Sequence, residues 1–126
     1  MFRLVDEAEH YPEFLPWCSA AEIHERTAER TRATLEIAYR GLKSRITTLN
    51  RNTPPESIDL ELVEGPFERF LGHWRFIPLG TEGCRVEFTL EYSFSSGALE
   101  SLLAPVFGYV TETLVDHFVK RAEAAD

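Results

Sequence analysis

Hydrophobic and polar positions divide the chain into a long alternating region and one long helical pattern. The alternation predicts antiparallel strands joined by short turns, at Glu22–Thr27, Thr31–Arg40, Lys43–Arg51, Ser57–Val63, Phe67–Leu79 and Cys84–Phe94. From Ala98 to Ala125 the apolar residues recur with helical spacing. A single helix laid across a twisted sheet cannot easily close both ends and tends to enclose a cavity. The pattern therefore predicts an α+β domain with a cavity between sheet and helix.

Local features refine this prediction. Met1–Glu9 carries a short helical pattern, both faces of Lys43–Arg51 are largely polar, and Gly72 indicates a bulge or a bend. Ser95–Gly97 supplies a turn and an N-cap for the final helix. Pro105 removes one hydrogen bond inside that helix, which predicts either a kink or a start near residue 104. The apolar face of the helix comprises Leu99, Leu102, Leu103, Val106, Phe107, Val110, Leu114 and Phe118.

The length and composition are typical of a soluble globular protein. The 126 residues fit one domain, spanning positions 1–126, with its own core. Neither a signal sequence nor a long apolar run is evident, which predicts a cytoplasmic protein. Cys18 and Cys84 form no metal or redox motif and are expected to be reduced, partly buried thiols. The four histidines are dispersed, so that no metal site is predicted.

The charge is strongly uneven along the chain. A net charge of −8 argues against a protein that wraps nucleic acid with its whole surface. Seven of the 13 Lys and Arg residues nevertheless fall between positions 26 and 51, where only two glutamates oppose them. This basic stretch is either a docking surface for a partner or a solvated edge that balances an acidic body.

Aromatic residues provide the strongest indication of a binding site. Nine Phe, four Tyr and two Trp are present, and many occupy inward positions. They predict either a packed core or a cavity that stacks a flat apolar ligand. The ligand-binding residues predicted in this way are Phe14, Trp17, Leu35, Trp74, Phe76, Phe88, Tyr92, Phe107, Val110 and Leu114.

Catalytic chemistry has little support in the sequence. His117 lies five helical turns after Leu99 and points along the apolar face of the helix. Together with Tyr92 it is a weak acid–base candidate for a cyclase or dehydratase, because such enzymes need a buried acid or base. The sequence contains no nucleophile motif and no phosphate-binding loop. No catalytic residue is therefore predicted, and the protein is expected not to be an enzyme.

Several stretches together carry a family resemblance that runs over essentially the whole chain: Leu4–Cys18 (LVDEAEHYPEFLPWC), Gly65–Phe67 (GPF), Trp74–Leu79 (WRFIPL), Val86–Phe88 (VEF) and Phe118–Ala122 (FVKRA). They resemble the START-like family that holds bacterial ribosome association toxins of the RatA type and mitochondrial coenzyme Q-binding proteins, with polyketide cyclase and lipid transport as its broader labels. The resemblance implies a helix-grip fold, a curved antiparallel sheet wrapped around a long C-terminal helix. It also implies an N-terminal strand, which is missing from this sequence.

The resemblance implies two functions. The favoured one is non-enzymatic binding of a hydrophobic ligand in the cavity, ubiquinone or a related polyprenyl lipid, in support of respiratory quinone function and without a required cofactor. The alternative is a RatA-type toxin that binds a ribosomal subunit and inhibits subunit association and translation initiation, with Arg40, Lys43 and Arg45 as docking residues. The expected partners are thus a quinone or lipid and a ribosomal subunit, with no DNA and at most peripheral membrane contact.

Overall fold

A six-stranded antiparallel sheet forms most of the molecule in the computed structural model, which describes residues 1–81 and 83–124. The strands follow chain order across the sheet, and each pairs antiparallel with the next. They are β1 (Cys18–Arg26), β2 (Arg30–Tyr39), β3 (Leu42–Thr53), β4 (Ser57–Glu64), β5 (Phe67–Leu79) and β6 (Gly83–Phe94). A short helix α1 (Phe2–Asp6) and a 3-10 helix (Ala8–Glu13) precede the sheet, and the long helix α2 (Gly97–Ala124) follows it.

The predicted α+β architecture is confirmed, with differences at the element ends. β1 begins four positions before the predicted Glu22 because Cys18 already pairs with Ile37 of β2. The helical pattern of Met1–Glu9 divides into α1 and the 3-10 helix, which contains Pro12. The predicted helix end at Ala125 lies outside the described residues.

Of the bulge or bend predicted at Gly72, the bulge is wrong. Gly72 pairs in regular register with Leu60 of β4 and with Leu90 of β6. A Cβ atom at this position would come within 2.9 Å of Leu60 Cδ1. The glycine therefore makes room for the Leu60 side chain on the inner face of the sheet, and does not insert an extra residue into β5.

α2 begins at Gly97 and continues through Pro105, so that the predicted alternative start near residue 104 is wrong. The predicted N-cap is confirmed, since the Leu99 N–H donates to Ser96 Oγ at 3.2 Å. Both Pro105 and Ser101, four residues earlier, are exposed. The Ser101 carbonyl, which the proline leaves without a helical partner, therefore lies on the solvent side of the helix, where water can hydrate it.

The apolar face of α2 forms the centre of the core. Its buried residues are Leu103, Val106, Phe107, Val110, Leu114 and Phe118. Leu102, predicted with them, is 51% exposed because it lies at one margin of the apolar arc. By length and composition alone α2 could cross a membrane, but its buried face packs on the sheet, so that it is the core helix of this domain.

The two cysteines differ in environment. Both are free thiols, Cys18 buried and Cys84 exposed, so that the expectation of partial burial is wrong for both. Burial raises the pKa of the Cys18 thiol to about 11, which keeps it protonated at neutral pH. Cys84 is exposed because it lies near the start of the edge strand β6, just after a turn.

Phe118 is expected to be among the most important residues for stability. Its side chain is 0% exposed and packs against the rings of Tyr11, Phe14 and Trp74. Phe118→Ala should lower the free energy of unfolding by about 3–5 kcal/mol, because it removes this contact area and leaves a cavity. Urea denaturation measures the loss. Leu102→Ala, on the same helix, should change stability by less than about 0.5 kcal/mol, and equal losses would contradict the assigned core.

Candidate functional site

A cavity of about 90 Å³ lies between the inner face of the sheet and α2. β2 to β6 and α2 supply most of its wall, and the 3-10 helix adds Ala8 and Tyr11. Small-molecule sites usually measure roughly 300–1,000 Å³. The side chains of the core therefore fill most of this space, and a quinone-sized ligand would enter only if some of them moved.

Seven of the ten predicted ligand-binding residues line this cavity: Trp17, Leu35, Trp74, Phe88, Phe107, Val110 and Leu114. They come from different elements, since the sheet register and the α2 face bring them together. Their rings and methyl groups form an apolar wall that suits a flat hydrophobic molecule. Their role in binding stays a prediction.

The other three predicted residues lie outside the cavity wall. Phe14 packs against the C-terminal part of α2, with its ring centroid 5.1 Å from that of Phe118. Phe76 stacks on Trp74 at 6.2 Å. Tyr92 belongs to an aromatic cluster between β5, β6 and α2. Each of the three packs against a residue that lines the cavity.

The cavity wall also has a polar part, which was not predicted from the sequence. Thr48 and Asn50 of β3 and Thr111 of α2 line the cavity. Thr48 Oγ1 donates to Asn50 Oδ1 at 2.8 Å. β3 is polar on both faces in sequence, but Ile46, Thr48 and Asn50 alternate and face the same side as the apolar face of β2. That alternation is the signal that could have found them.

Trp17 lines the cavity, and its indole N–H is a buried donor without a partner. Trp17 is buried, and its Nε1 has no hydrogen-bond partner. Among the described residues, Asn52 Oδ1 and His117 Nε2 are the other buried side-chain polar atoms in this state. An unpaired buried donor costs about 1–3 kcal/mol. Because this atom has almost no accessible surface, a bound carbonyl oxygen could reach it only if neighbouring side chains moved.

The acid–base candidates do not converge on the cavity. His117 and Tyr92 are not part of its wall. Tyr11 is, but its hydroxyl donates to the Val5 carbonyl oxygen, and burial raises the pKa of this hydroxyl above its ordinary value. The described wall residues include no Asp, Glu, His, Lys or Cys. The wall is thus suited to stacking and hydrogen bonding.

An ion pair fastens the N-terminal segment to the sheet. Arg26 of β1 donates to Glu9 Oε1 at 2.8 Å and to the Asp6 carbonyl oxygen at 3.2 Å. The Asp6 carboxylate accepts a hydrogen bond from Asn52 of β3 at 3.1 Å. The Arg26 guanidinium lowers the pKa of Glu9 to about 2. These contacts hold the 3-10 helix where Tyr11 completes the cavity wall.

The β2–β3 hairpin carries the Lys and Arg side chains that have no carboxylate partner among the described residues. Ten of the 13 Lys and Arg side chains lie within 4.0 Å of a carboxylate. The remaining three, Arg32, Arg40 and Arg45, have no such partner among residues 1–81 and 83–124, and all three lie on β2, β3 or the turn between them. The predicted basic stretch is therefore concentrated in three side chains.

Two of these three, Arg40 and Arg45, are predicted docking residues. Arg40 lies in the turn, where its guanidinium is 5.2 Å from the centre of the Tyr39 ring. Lys43, the third predicted docking residue, lies 3.9 Å from Glu36 and is 71% exposed. We call Arg40, Lys43 and Arg45 the hairpin surface. Arg32 was missed because its strand position alone does not show that it lacks a partner.

Comparison with known proteins places this geometry in a family. Residues 1–119 match the family described as polyketide cyclase / dehydrase and lipid transport. The chain belongs to this family. The START-like resemblance of the sequence and its helix-grip fold are thereby confirmed.

Members and structural neighbours of the family differ in their named functions. The ribosome association toxin RatA of Pseudomonas aeruginosa is 37% identical over 123 residues, which cover 98% of this chain and 85% of the relative. A mitochondrial coenzyme Q-binding protein of Xenopus laevis is 26% identical over 127 residues, 97% of this chain and 52% of the relative. An aromatase/cyclase of Streptomyces sp. R1128 shares the fold, with a TM-score of 0.84 at 17% identity and coverage of 97% and 84%.

The Arg26–Glu9 pair predicts a pH-dependent stability. Because the folded pKa of Glu9 lies below its ordinary 4.5, the pair stabilises the fold above about pH 4.5 and loses its effect as the pH falls toward 2. Glu9→Gln should lower the free energy of unfolding at pH 7 by less than about 1 kcal/mol, because both side chains are about a third exposed. Denaturation at several pH values should show this difference shrink on acidification.

Glu112→Gln provides the control, since Glu112 is exposed on α2 and has no ion-pair partner among the described residues. It should match the wild type from pH 7 downward. A Glu9→Gln difference that stays constant between pH 7 and pH 3 would contradict the assigned pair.

Proposed function

We propose that this protein binds a ribosomal subunit and hinders its association with the other subunit. The relatives support this function, which was the alternative prediction from sequence, better than quinone binding. A relative named ribosome association toxin is 37% identical along almost the whole chain, whereas the coenzyme Q-binding relative is 26% identical and matches over half its own length. The predicted cytoplasmic location suits such a role.

The observation that carries the proposal is the position of the unpaired arginines. A cation already paired with a carboxylate must give up that partner before it can bind a phosphate, whereas an unpaired one need not. Arg40 and Arg45 have no carboxylate partner among the described residues, and Lys43 is held only loosely by Glu36. The hairpin surface is therefore the part of an acidic protein that a phosphate-rich particle would attract.

The proposed function requires binding alone, without the making or breaking of covalent bonds. The cyclase neighbour shares the fold at 17% identity, and this similarity does not indicate a shared activity. In this chain the described cavity wall offers hydrogen-bond donors, acceptors and rings, but no carboxylate or imidazole. We therefore assign no enzymatic step to the protein.

A second function, the binding of an apolar ligand, has its own support. The cavity combines an aromatic wall with the unpaired Trp17 N–H and with Thr48 and Asn50. A flat molecule with carbonyl groups would satisfy both parts of such a wall, and ubiquinone fits this description. The cavity lies on the inner face of the sheet and the hairpin surface on the outer side and tip of β2–β3, so that one function does not exclude the other.

Charge reversal of the hairpin surface tests ribosome binding. The triple variant Arg40→Glu, Lys43→Glu and Arg45→Glu should lose salt-sensitive co-sedimentation with ribosomal subunits, because like charges would meet the phosphates. Arg69→Glu, Arg75→Glu and Arg85→Glu reverse three exposed cations on β5 and β6 and serve as the matched control. Circular dichroism verifies that both variants fold. Equal binding by the two variants would overturn the docking assignment.

Filling the cavity tests ligand binding. Val110 is buried and lines the cavity, so that Val110→Phe should occupy the free space and reduce the amount of bound quinone or lipid. Native mass spectrometry of protein purified from its own host, with lipid extraction, measures that amount. Val115→Phe, on the same helix but away from the cavity wall, is the control. Ribosomal co-sedimentation should be unchanged in both variants. An equal ligand content would count against the cavity as the binding site.

A further inference from the structure

The outer face of the sheet carries a groove that the hairpin surface does not explain. It has a volume of about 710 Å³ and lies across β1 to β4. The polar residues that line it are His24, Arg32, Thr34, Arg45, Thr47 and Glu64. It combines two of the three unpaired arginines with a pair of threonine hydroxyls. The groove lies on the outer face of the sheet, whereas the internal cavity lies on the inner face.

The threonines form the floor of this groove. Thr34 and Thr47 face each other across β2 and β3, and their hydroxyl oxygens are 2.7 Å apart. They are 7% and 9% exposed, although they point away from the apolar core. Most outward positions of these strands are more exposed, so this pair lies in a recess.

Two irregularities in the strands create the recess. The register of β1 shifts between Ile23 and Glu25, which sets His24 beside Thr34. The register between β3 and β4 shifts beside Thr47, which pairs with Glu64 while the next residue pairs with Leu62. Bulges of this kind redirect side chains and are over-represented next to functional sites. Here the two shifts lie on opposite sides of the threonine pair.

His24, Thr34 and Thr47 form a row of hydrogen bonds in which the protons can point either way along the row. His24 Nε2 lies 2.7 Å from Thr34 Oγ1, which in turn contacts Thr47 Oγ1. When the proton is on Nε2, His24 donates to Thr34, Thr34 donates to Thr47, and the Thr47 hydroxyl is free to donate to a further acceptor. An anion above Thr47 would favour this arrangement of the protons, because it accepts the free Thr47 hydroxyl proton in a hydrogen bond.

The arginines flank the floor from both ends. Arg32 precedes Thr34 by two positions on β2, and Arg45 precedes Thr47 by two positions on the antiparallel β3. Two residues along a strand span about 7 Å, so the two arginines stand on opposite sides of the threonine pair. Both are exposed and long enough to reach inward. Guanidinium groups bind phosphate oxygens through two parallel hydrogen bonds.

We propose that this groove, with Arg32 and Arg45 above the Thr34–Thr47 hydroxyls, binds a backbone phosphate of RNA. The inference rests on the proposed function and names the chemistry by which a ribosomal subunit is held. The free Thr47 hydroxyl at the floor of the recess and two guanidinium groups at its rim match a tetrahedral anion more closely than the flat carboxylate of an acidic protein.

Three carboxylates limit the strength of this site. Glu64 lines the groove, Glu22 lies 4.0 Å from His24, and Glu36 is the register partner of Arg45. Glu64 has no ion-pair partner among the described residues and would repel a bound phosphate. Its removal should therefore strengthen binding. A purely structural role of the groove does not predict this gain.

The test compares four proteins: the wild type, Arg32→Ala/Arg45→Ala, Glu64→Gln, and the control Arg69→Ala/Arg85→Ala. Each is measured by co-sedimentation with purified ribosomal subunits and by fluorescence anisotropy with protein-free ribosomal RNA, at several salt concentrations. The groove variant should bind more weakly by a factor of about ten or more. The slope of its log affinity against log salt concentration should become less negative by about 1 to 2. Glu64→Gln should bind more tightly and the control should match the wild type.

The other outcomes separate the inference from the proposed function. If the wild type binds subunits and the groove variant binds equally well, the groove is not the site, while ribosome binding stands. If the groove variant loses subunit binding but the wild type does not bind protein-free RNA, the groove contacts an acidic protein, and the RNA proposal is overturned. If the wild type binds RNA through the groove but not subunits, the inference stands and the proposed function falls.

Discussion

The structure depends on the burial of one helical face against one sheet. α2 is the single long helix that the described residues supply for six strands, so its buried side chains must reach across a wide, curved surface. Phe107 and Phe118 do this with large rings that contact aromatic residues from the N-terminal segment and from β5 and β6. Large rings cover more area than aliphatic chains, and a cavity of about 90 Å³ remains among them inside a well-buried core.

The same alternation that builds the core also positions the outer groove. Leu35 and Ile46 face the cavity, while their chain neighbours Thr34 and Thr47 face outward to the groove. A slip of one residue in the β2–β3 register would exchange these faces. The apolar packing on the inner side therefore fixes the geometry of the polar side chains on the outer side. The strands of the hairpin are held by the core, although their charged residues lie at the surface.

Local sequence patterns predicted most of the fold because strand alternation and helix spacing are local properties. They could not predict features that depend on long-range pairing. Gly72 suggested a bulge, but its role is set by Leu60 on the neighbouring strand. For the site, seven aromatic and aliphatic wall residues followed from their inward positions. Asn50 did not, because both faces of β3 are largely polar, and the alternation of Ile46, Thr48 and Asn50 identifies the inner face only once the pairing with β2 is known. Arg32 lacked a signal too, since ion pairing is decided between strands.

The acidic character of the protein is compatible with RNA binding once the pairing of charges is considered. Most cations are neutralised locally by a carboxylate, so that they contribute little to the field at a distance. The excess negative charge then covers the rest of the surface and repels phosphates there. Among the described residues, the unpaired guanidinium groups lie on the β2–β3 hairpin, so a partner rich in phosphate would meet them from this side. In the proposed complex, the acidic body would restrict the orientation and a few arginines would supply the affinity.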